Sequence, residues 1–288
     1  MESDPLRARR RVGLLVIGGA SVVWLASLIV ILTVSPTGMQ VSSDPGVNPV
    51  AYWVVLLPSA VGIALVLVLP PKSPRRPVVL DKRRPFITTT ISLIALAALF
   101  PIAVASVPLE GEFYVLAKLL LFMIVPGVIL VIFRHGVKIT WKKNASRWWA
   151  PAIVIVAWTA LSQIAPWNPT FDLSDYDPLF IVVAATATAL TAGVGEELFY
   201  RRWLQTRLEV AIGAWPGIAL ASLAFGLMHL GSHGTGEPVI DVAQVIVAQG
   251  TFGLFLGIMW WRYRNLLAII LVHIIANGWG VAAALLSQ

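Results

Sequence analysis

Apolar residues in this chain occur in long blocks, without the short alternation that is typical of amphipathic helices or strands. A bilayer is crossed by roughly 20 consecutive apolar residues in a helix, and about nine blocks approach that length, so each predicts one membrane helix. The blocks cover approximately Val12 to Val34, Val50 to Leu69, Phe86 to Val107, Phe113 to Phe133, Trp148 to Ile164, Leu179 to Tyr200, Trp215 to Leu230, Val239 to Trp261, and Leu266 to Leu286.

The charges between the blocks predict how the helices are oriented. All but one of the 21 lysines and arginines fall in alternate connecting segments, starting with the segment before the first block. Cytoplasmic loops of membrane proteins are enriched in these residues. The pattern therefore predicts that the N-terminus lies in the cytoplasm and the C-terminus outside, with Lys118 as the one basic residue inside a block. The intervening segments carry acidic residues, namely Asp44, Glu110, Glu112, Asp172, Asp175, Asp177 and Glu237.

Composition agrees with a lipid-solvated chain. With 58% hydrophobic residues, 12% charged residues and a mean hydropathy of +0.84, the chain has too little polar surface to cover a soluble globule. The predicted fold class is all-α, a polytopic membrane helix bundle. The net charge of +7 does not indicate nucleic-acid binding, because the basic residues lie between apolar blocks. The chain has no cysteine, which excludes disulfides and thiolate chemistry.

Ionisable residues inside the blocks are the first candidates for chemistry, because each costs about 2.5 to 3.5 kcal/mol at the centre of a membrane helix. For Lys118 and Asp241, near the ends of their blocks, we favour interfacial snorkelling or a structural pair. Gln244 and Gln249 are more typical of contacts between helices. The remaining ionisable candidates are Glu196, Glu197, His229 and His273, with Asn277 as a polar companion.

Spacing separates the two adjacent acids. Glu197 precedes Arg201 by four residues, the favoured orientation for an ion pair within a helix. Glu196 has only Tyr200 at that spacing and is expected to remain free. His229 follows Phe225 by four residues on another block.

Depth predicts that these side chains meet. Glu196 and His229 are equally distant from the turn around Gly213, which would place both about 10 to 15 Å below the cytoplasmic face. His273 lies about 12 Å from the same face, with Asn277 one turn further along its helix. A carboxylate held away from bulk water can take a proton from a water molecule, while imidazole and carboxamide groups can support the oxyanion of an attacked carbonyl. The cluster suits hydrolysis of a peptide bond at membrane depth.

Three motifs resemble those of a known family. They read Glu196-Glu197-Leu198-Phe199-Tyr200-Arg201, Phe225-Gly226-Leu227-Met228-His229 and His273-Ile274-Ile275-Ala276-Asn277. The sequence resembles the CAAX-processing and bacteriocin-processing intramembrane proteases, the CPBP or Abi family, whose signatures are EExxxR, FxxxH and HxxxN/D. The resemblance covers about Leu179 to Leu286. It divides the chain into an N-terminal part, residues 1–147, without recognised motifs and a catalytic helix bundle, residues 148–288.

The resemblance also implies roles. Glu196 would act as the base that activates water, together with His229. His273 and Asn277 would support the oxyanion, while Glu197 and Arg201 would fix the helix. The substrate would be a membrane-associated peptide or a prenylated protein, reached from the cytoplasmic side or the inner leaflet, and the expected location is the plasma (inner) membrane of a prokaryote.

Alternatives remain at this stage. Glu196, His229 and His273 could supply three zinc ligands with an open fourth position, although no HExxH is present and we favour a mechanism without a metal or other cofactor. Aspartyl and serine intramembrane proteases are excluded, because neither motif set is present. A secondary transporter with a buried Glu/His proton relay, or a catalytically silent membrane scaffold or regulator, fits the same polar residues.

Overall fold

The computed structural model describes residues 5–39, 49–70, 78–106, 111–139, 148–168, 176–230 and 237–286. Within these ranges the chain forms nine helical segments and one small antiparallel sheet. The helices are α1 (Pro5–Val34), α2 (Tyr52–Val68), α3 (Arg83–Ser106), α4 (Gly111–Ile132), α5 (Trp149–Ile164), α6 (Pro178–Ile212), α7 (Ala214–Leu227), α8 (Pro238–Tyr263) and α9 (Leu266–Leu286). The strands are β1 (Val78–Leu80) and β2 (Val137–Ile139).

Each predicted apolar block coincides with one of these helices. Among the described residues, six helices are long and apolar enough to cross a membrane, and α2, α5 and α7 are shorter apolar helices. Large apolar side chains such as Leu15, Val68 and Val131 remain exposed on the outer surface of the bundle. Such a surface is stable against lipid and unfavourable in water. The chain is therefore an integral, multi-pass membrane protein with a helical fold.

Helix α6 extends beyond its apolar block. The block ends at Tyr200, and Arg201 and Arg207 were assigned to the cytoplasmic side, on a continuation of the helix past the bilayer. The helix does continue, to Ile212, but both arginines are buried in the bundle. The guanidinium of Arg207 donates to Thr89 Oγ1 on α3 at 2.9 Å. Hydropathy assigned both arginines to the cytoplasmic side because it cannot recognise a charged side chain whose partners lie inside the bundle.

Several helices contain wide turns with i→i+5 hydrogen bonds. Within the described residues these π-helical stretches are Leu120–Ile124 in α4, Ala160–Ile164 in α5, Ala189–Gln205 in α6 and Ile246–Gly250 in α8. The stretch in α6 is the longest and contains the acidic motif. Single π turns occur often at functional sites. A π turn rotates successive side chains by less than the ~100° of an α-helix, so the adjacent acids diverge less than they would in an α-helix.

Helix α6 occupies the centre of the bundle. It packs against α4 on one side and against α9 on another, while α7 and α8 pack against each other and against its C-terminal half. One of the hydrophobic clusters surrounds α6. Near the acids it contains several aromatic side chains, including Phe122, Phe199, Tyr200 and Phe225. A second cluster centres on α8 and joins α2, α5 and α9. The acids thus project from the helix with the most neighbours.

Two glycines let the neighbouring helices approach α6. A Cβ atom on Gly193 would lie 2.5 Å from Cγ1 of Ile274 on α9, and one on Gly195 would lie 3.1 Å from Met123 on α4. Small residues at such positions are typical of close helix contacts in membranes. The run Gly193 to Glu196, which superficially imitates an aspartyl-protease motif, is therefore explained by packing.

A short antiparallel sheet joins two connecting segments. Val78 pairs with Ile139 and Leu80 with Val137. These segments follow α2 and α4, and both were assigned to the cytoplasmic side. The sequence analysis did not predict the sheet, because strands of three residues are too short to show an alternating pattern.

Some sequence predictions fall outside the described residues. These include the placements of Asp44, Glu110, Asp172 and Asp175 in outside loops and the position of the C-terminal residue Gln288. The division between residues 147 and 148 lies at the edge of the range 140–147, which is likewise not described.

Candidate active site

The acid pair Glu196-Glu197 lies in the π-helical part of α6, and both side chains have an exposed fraction of 0%. A carboxylate at such a position is stable only if cations and hydrogen-bond donors offset its desolvation. The partners of the two acids come from three different helices. They define the geometry of the candidate site.

Glu197 has two partners on the same oxygen. Its Oε1 atom lies 3.1 Å from Nη1 of Arg201 and 2.7 Å from Nδ1 of His273 on α9. The guanidinium of Arg201 is itself fixed, because its carbon lies 4.0 Å from the centre of the Phe225 ring and Nη2 lies 3.5 Å from the carbonyl oxygen of Gly253. The predicted ion pair between Glu197 and Arg201 is confirmed. The contact with His273 could not be read from helical spacing.

Glu196 is paired with a lysine from another helix. Nζ of Lys118 on α4 lies 2.8 Å from Oε1 of Glu196 and 4.7 Å from the centre of the Tyr114 ring. Lys118 has an exposed fraction of only 8%. The expectation that Glu196 would be free was therefore wrong. For Lys118, the sequence left snorkelling or a structural pair open, and the structure has the pair. The contact also places the two residues at one depth in the bundle.

The buried charges balance one another. Lys118 and Arg201 carry two positive charges against the two negative charges of Glu196 and Glu197 when all four groups are ionised. Isolated charges are expensive in low dielectric, whereas paired and hydrogen-bonded charges are tolerated. This balance makes it physically reasonable that two adjacent acids are buried in a membrane helix.

The second oxygen of Glu196 faces His273. Oε2 of Glu196 lies 3.9 Å from Nε2 of His273, beyond hydrogen-bonding distance. Among the described residues this oxygen has no hydrogen-bond partner. Because Nδ1 of His273 donates to Glu197, a neutral ring carries its lone pair on Nε2. Two hydrogen-bond acceptors, Oε2 of Glu196 on α6 and Nε2 of His273 on α9, therefore face each other.

His229 lies next to this arrangement at the end of α7. Its Nδ1 atom is 2.9 Å from the carbonyl oxygen of Phe225, so this nitrogen carries the proton. The His229 ring is half-buried and contacts the Phe225 ring at 5.0 Å between centroids. The Phe225 ring also contacts His273, at 5.9 Å. The phenylalanine of the second motif thus links both histidines with Arg201.

Asn277 is the candidate residue with the weakest connection to the acids. It lies one turn beyond His273 on α9, and its side chain is exposed. No hydrogen bond joins it to another residue of the described ranges. The structure therefore brings together Glu196, Glu197, Arg201 and His273 directly, His229 through Phe225, and Asn277 only by its place on α9.

The three residues of the zinc alternative make other contacts in this structure. In the part of the chain that the structure describes, no three His, Asp or Glu residues are close enough to hold a metal ion. Oε1 of Glu196 and Nδ1 of His229 are both occupied by other groups. The arrangement consequently does not gather Glu196, His229 and His273 as a ligand set.

Comparison with protein families identifies the part of the chain that carries this site. Residues 178–279 match the family described as Type II CAAX prenyl endopeptidase Rce1-like. This region is similar to that family, and residues 178–279 are called the Rce1-like region below. No curated protein and no solved structure matches the chain.

The Rce1-like region extends from the start of α6 to within α9 and covers about a third of the chain. It contains all the candidate residues that the three motifs identified. Lys118 lies well before its first residue. A motif search restricted to the Rce1-like region therefore misses Lys118, the partner of Glu196.

A signal for Lys118 was present in the sequence. Two acids were predicted inside the bundle, but only one arginine was available within helical reach. The one basic residue inside an apolar block was Lys118. Counting charges across helices, rather than along one helix, would have predicted the pair.

Proposed function

We propose that this protein is an intramembrane endopeptidase in which Glu196 activates a water molecule for attack on a peptide bond. The observation that carries the proposal is the buried arrangement of Glu196, Glu197 and His273 in the Rce1-like region. It provides a carboxylate oxygen without a partner among the described residues beside an imidazole nitrogen of fixed orientation.

A water molecule fits the two facing acceptors. Hydrogen bonds of about 2.8 Å from one water to both atoms span the 3.9 Å between Oε2 of Glu196 and Nε2 of His273. Such a water donates one hydrogen to each acceptor, so its lone pairs point away from them. A lone pair directed at a carbonyl carbon is what nucleophilic attack requires.

The reaction consists of balanced proton transfers. Glu196 takes one proton from the water while the water oxygen bonds to the carbonyl carbon of the peptide, which forms a tetrahedral oxyanion. The proton is then delivered to the amide nitrogen as the carbon–nitrogen bond breaks. The products are a carboxylic acid and an amine, and Glu196 returns to its starting state.

The other residues support these steps. We assign the Glu197–Arg201 pair to holding His273, because Glu197 accepts from both of them. The exposed amide of Asn277 lies about 6 Å along α9 from His273 and is the candidate donor to the oxyanion. His229 would assist at the same side through its imidazole, with Phe225 as the surface against which both histidines lie.

The substrate would be a membrane-associated peptide or a prenylated protein. A site at this depth accepts substrates that are already partitioned into the bilayer. The predicted orientation of the chain would admit them from the cytoplasmic side or the inner leaflet.

Reconstituted protein provides the test. Quenched fluorescent peptides, with and without a prenyl group on a C-terminal cysteine motif, are added to proteoliposomes that also report internal pH. We expect time-dependent cleavage and no substrate-driven proton flux. Proton flux without cleavage would favour a transporter, and the absence of both would favour a silent scaffold or regulator.

A further inference from the structure

Lys118 is a buried cation outside the Rce1-like region that touches the site. It lies on α4 just before the π-helical turn Leu120–Ile124. Its ammonium group contacts one carboxylate oxygen, Oε1 of Glu196, and the face of Tyr114. None of the three motifs includes this residue, and the mechanism above does not require it to touch the substrate.

A net gain in stability does not explain why a lysine stands here. A buried ion pair often stabilises a protein no more than apolar residues of similar size do, and in a membrane helix the lysine is especially unfavourable. Lys118 also pairs with the one carboxylate that faces His273 across 3.9 Å. The location of the pair therefore points to the chemistry.

We propose that Lys118 is a positioning residue that holds Oε1 of Glu196, so that Oε2 is the oxygen presented to the water and to His273. This inference rests on the proposed function. With Oε1 bound to Lys118, the carboxylate plane is fixed and only one oxygen remains available. The lysine also supplies the second positive charge that two adjacent carboxylates require.

Loss of Lys118 has two predicted consequences. The carboxylate of Glu196 becomes free to rotate, so the water is no longer aligned, and kcat should fall by at least about tenfold. KM should stay within about twofold, since a residue that does not touch the substrate contributes little uniform binding. A misaligned water would thus lower kcat, whereas weaker substrate binding would raise KM.

The first experiment is a double-mutant cycle on the full chain. Lys118→Met, Glu196→Gln and the double variant are reconstituted, and melting temperature, kcat and KM are measured with quenched peptides. Each single variant leaves one buried charge without its partner, so each should melt several degrees below the wild type. The melting temperature of the double variant should fall by less than the sum of the two single losses. Its residual activity should equal that of Glu196→Gln alone.

The chain also permits a chemical rescue. It contains no cysteine, so Lys118→Cys introduces the only thiol, and aminoethylation of that thiol restores an ammonium group at nearly the original distance. We expect kcat to recover in proportion to the labelled fraction measured by intact mass. Lys138→Met, at an exposed position of β2, is the matched control and should keep wild-type kinetics.

The outcomes separate this inference from the proposed function. Wild-type kcat in Lys118→Met, or additive losses of melting temperature in the cycle, would overturn the role of Lys118 while leaving the protease intact. A wild type that cleaves no peptide would overturn the proposed function and the positioning role with it. If the losses of melting temperature were nevertheless non-additive in that case, the ion pair of Lys118 and Glu196 would stabilise the fold without a role in catalysis.

Discussion

Nδ1 of His273 on α9 lies 2.7 Å from Oε1 of Glu197 on α6. This contact fixes the imidazole so that its other nitrogen faces Glu196. A carboxylate that orients a histidine is a common device for setting the tautomer of the ring. It gives the second acid of the motif a role distinct from that of the first, although the two are adjacent in sequence.

Exchange of Glu197 for glutamine should therefore affect both stability and activity. Glu197→Gln leaves Arg201 without its buried counter-ion, and breaking one side of such a pair costs about 3 to 5 kcal/mol. We expect a clear fall in melting temperature and in turnover. Adding Arg201→Met to Glu197→Gln should recover part of the stability but none of the turnover. Thermal unfolding in one detergent, beside peptide cleavage, measures both; a Glu197→Gln protein with wild-type stability would contradict the pairing.

The contact between Glu197 and His273 also requires close packing of α6 against α9. Gly193→Ala places a Cβ atom 2.5 Å from Cγ1 of Ile274, and such overpacking costs about 1 to 3 kcal/mol. The variant should melt at a lower temperature and turn over more slowly.

The double variant Gly193→Ala/Ile274→Ala, which removes the clashing atoms, should recover part of both losses. Gly127→Ala on α4 is the control, because no atom lies within 4 Å of its added Cβ. An unchanged melting temperature for Gly193→Ala would mean that the two helices are further apart than described.

The helices of this protein could be predicted from sequence, because each apolar block coincides with one helix. The burial of Arg201 could not, since its charge is cancelled by Glu197 inside the bundle. Hydropathy treats every arginine as if it faced water or lipid alone. The π-helical turns were also hidden, because their hydrogen bonds leave no distinct apolar period.

The candidate site could be predicted from spacing along single helices and from the depth of the side chains. The i to i+4 spacing gave the pair of Glu197 and Arg201, and equal depth suggested that Glu196 and His273 approach each other, as they do. The contact of Glu196 with Lys118 joins residues far apart in sequence. Spacing within one helix carries no information on it. Only the requirement for charge balance across the bundle could have revealed it.

Metal dependence distinguishes the proposed mechanism from a zinc mechanism. If Glu196 acts directly as the base, cleavage should persist after exhaustive chelation, and purified protein should contain no stoichiometric zinc by elemental analysis. Cleavage lost to a chelator and restored by zinc would favour the ligand set Glu196, His229 and His273 instead.

Topology is tested by reporters that are active only in the cytoplasm. A fusion after Lys138, in a connecting segment assigned to the inside, should be active, and a fusion after Gln288 should be silent. The basis is the distribution of lysine and arginine between alternate connecting segments. Activity from both fusions would show that the chain crosses the membrane an even number of times between Lys138 and Gln288, and the cytoplasmic side of the site would have to be reassigned.

The central claim is that Glu196 is the base of an intramembrane protease. Its most direct test compares kcat for the wild type and Glu196→Gln in the same proteoliposomes, below the melting temperature of both, because Lys118 loses its partner in the variant. Glu112→Gln, at an exposed position in the first turn of α4, is the control. We expect Glu112→Gln to match the wild type and Glu196→Gln to lose at least about a hundredfold in kcat. A folded Glu196→Gln protein that retains more than about a third of wild-type turnover would contradict the account.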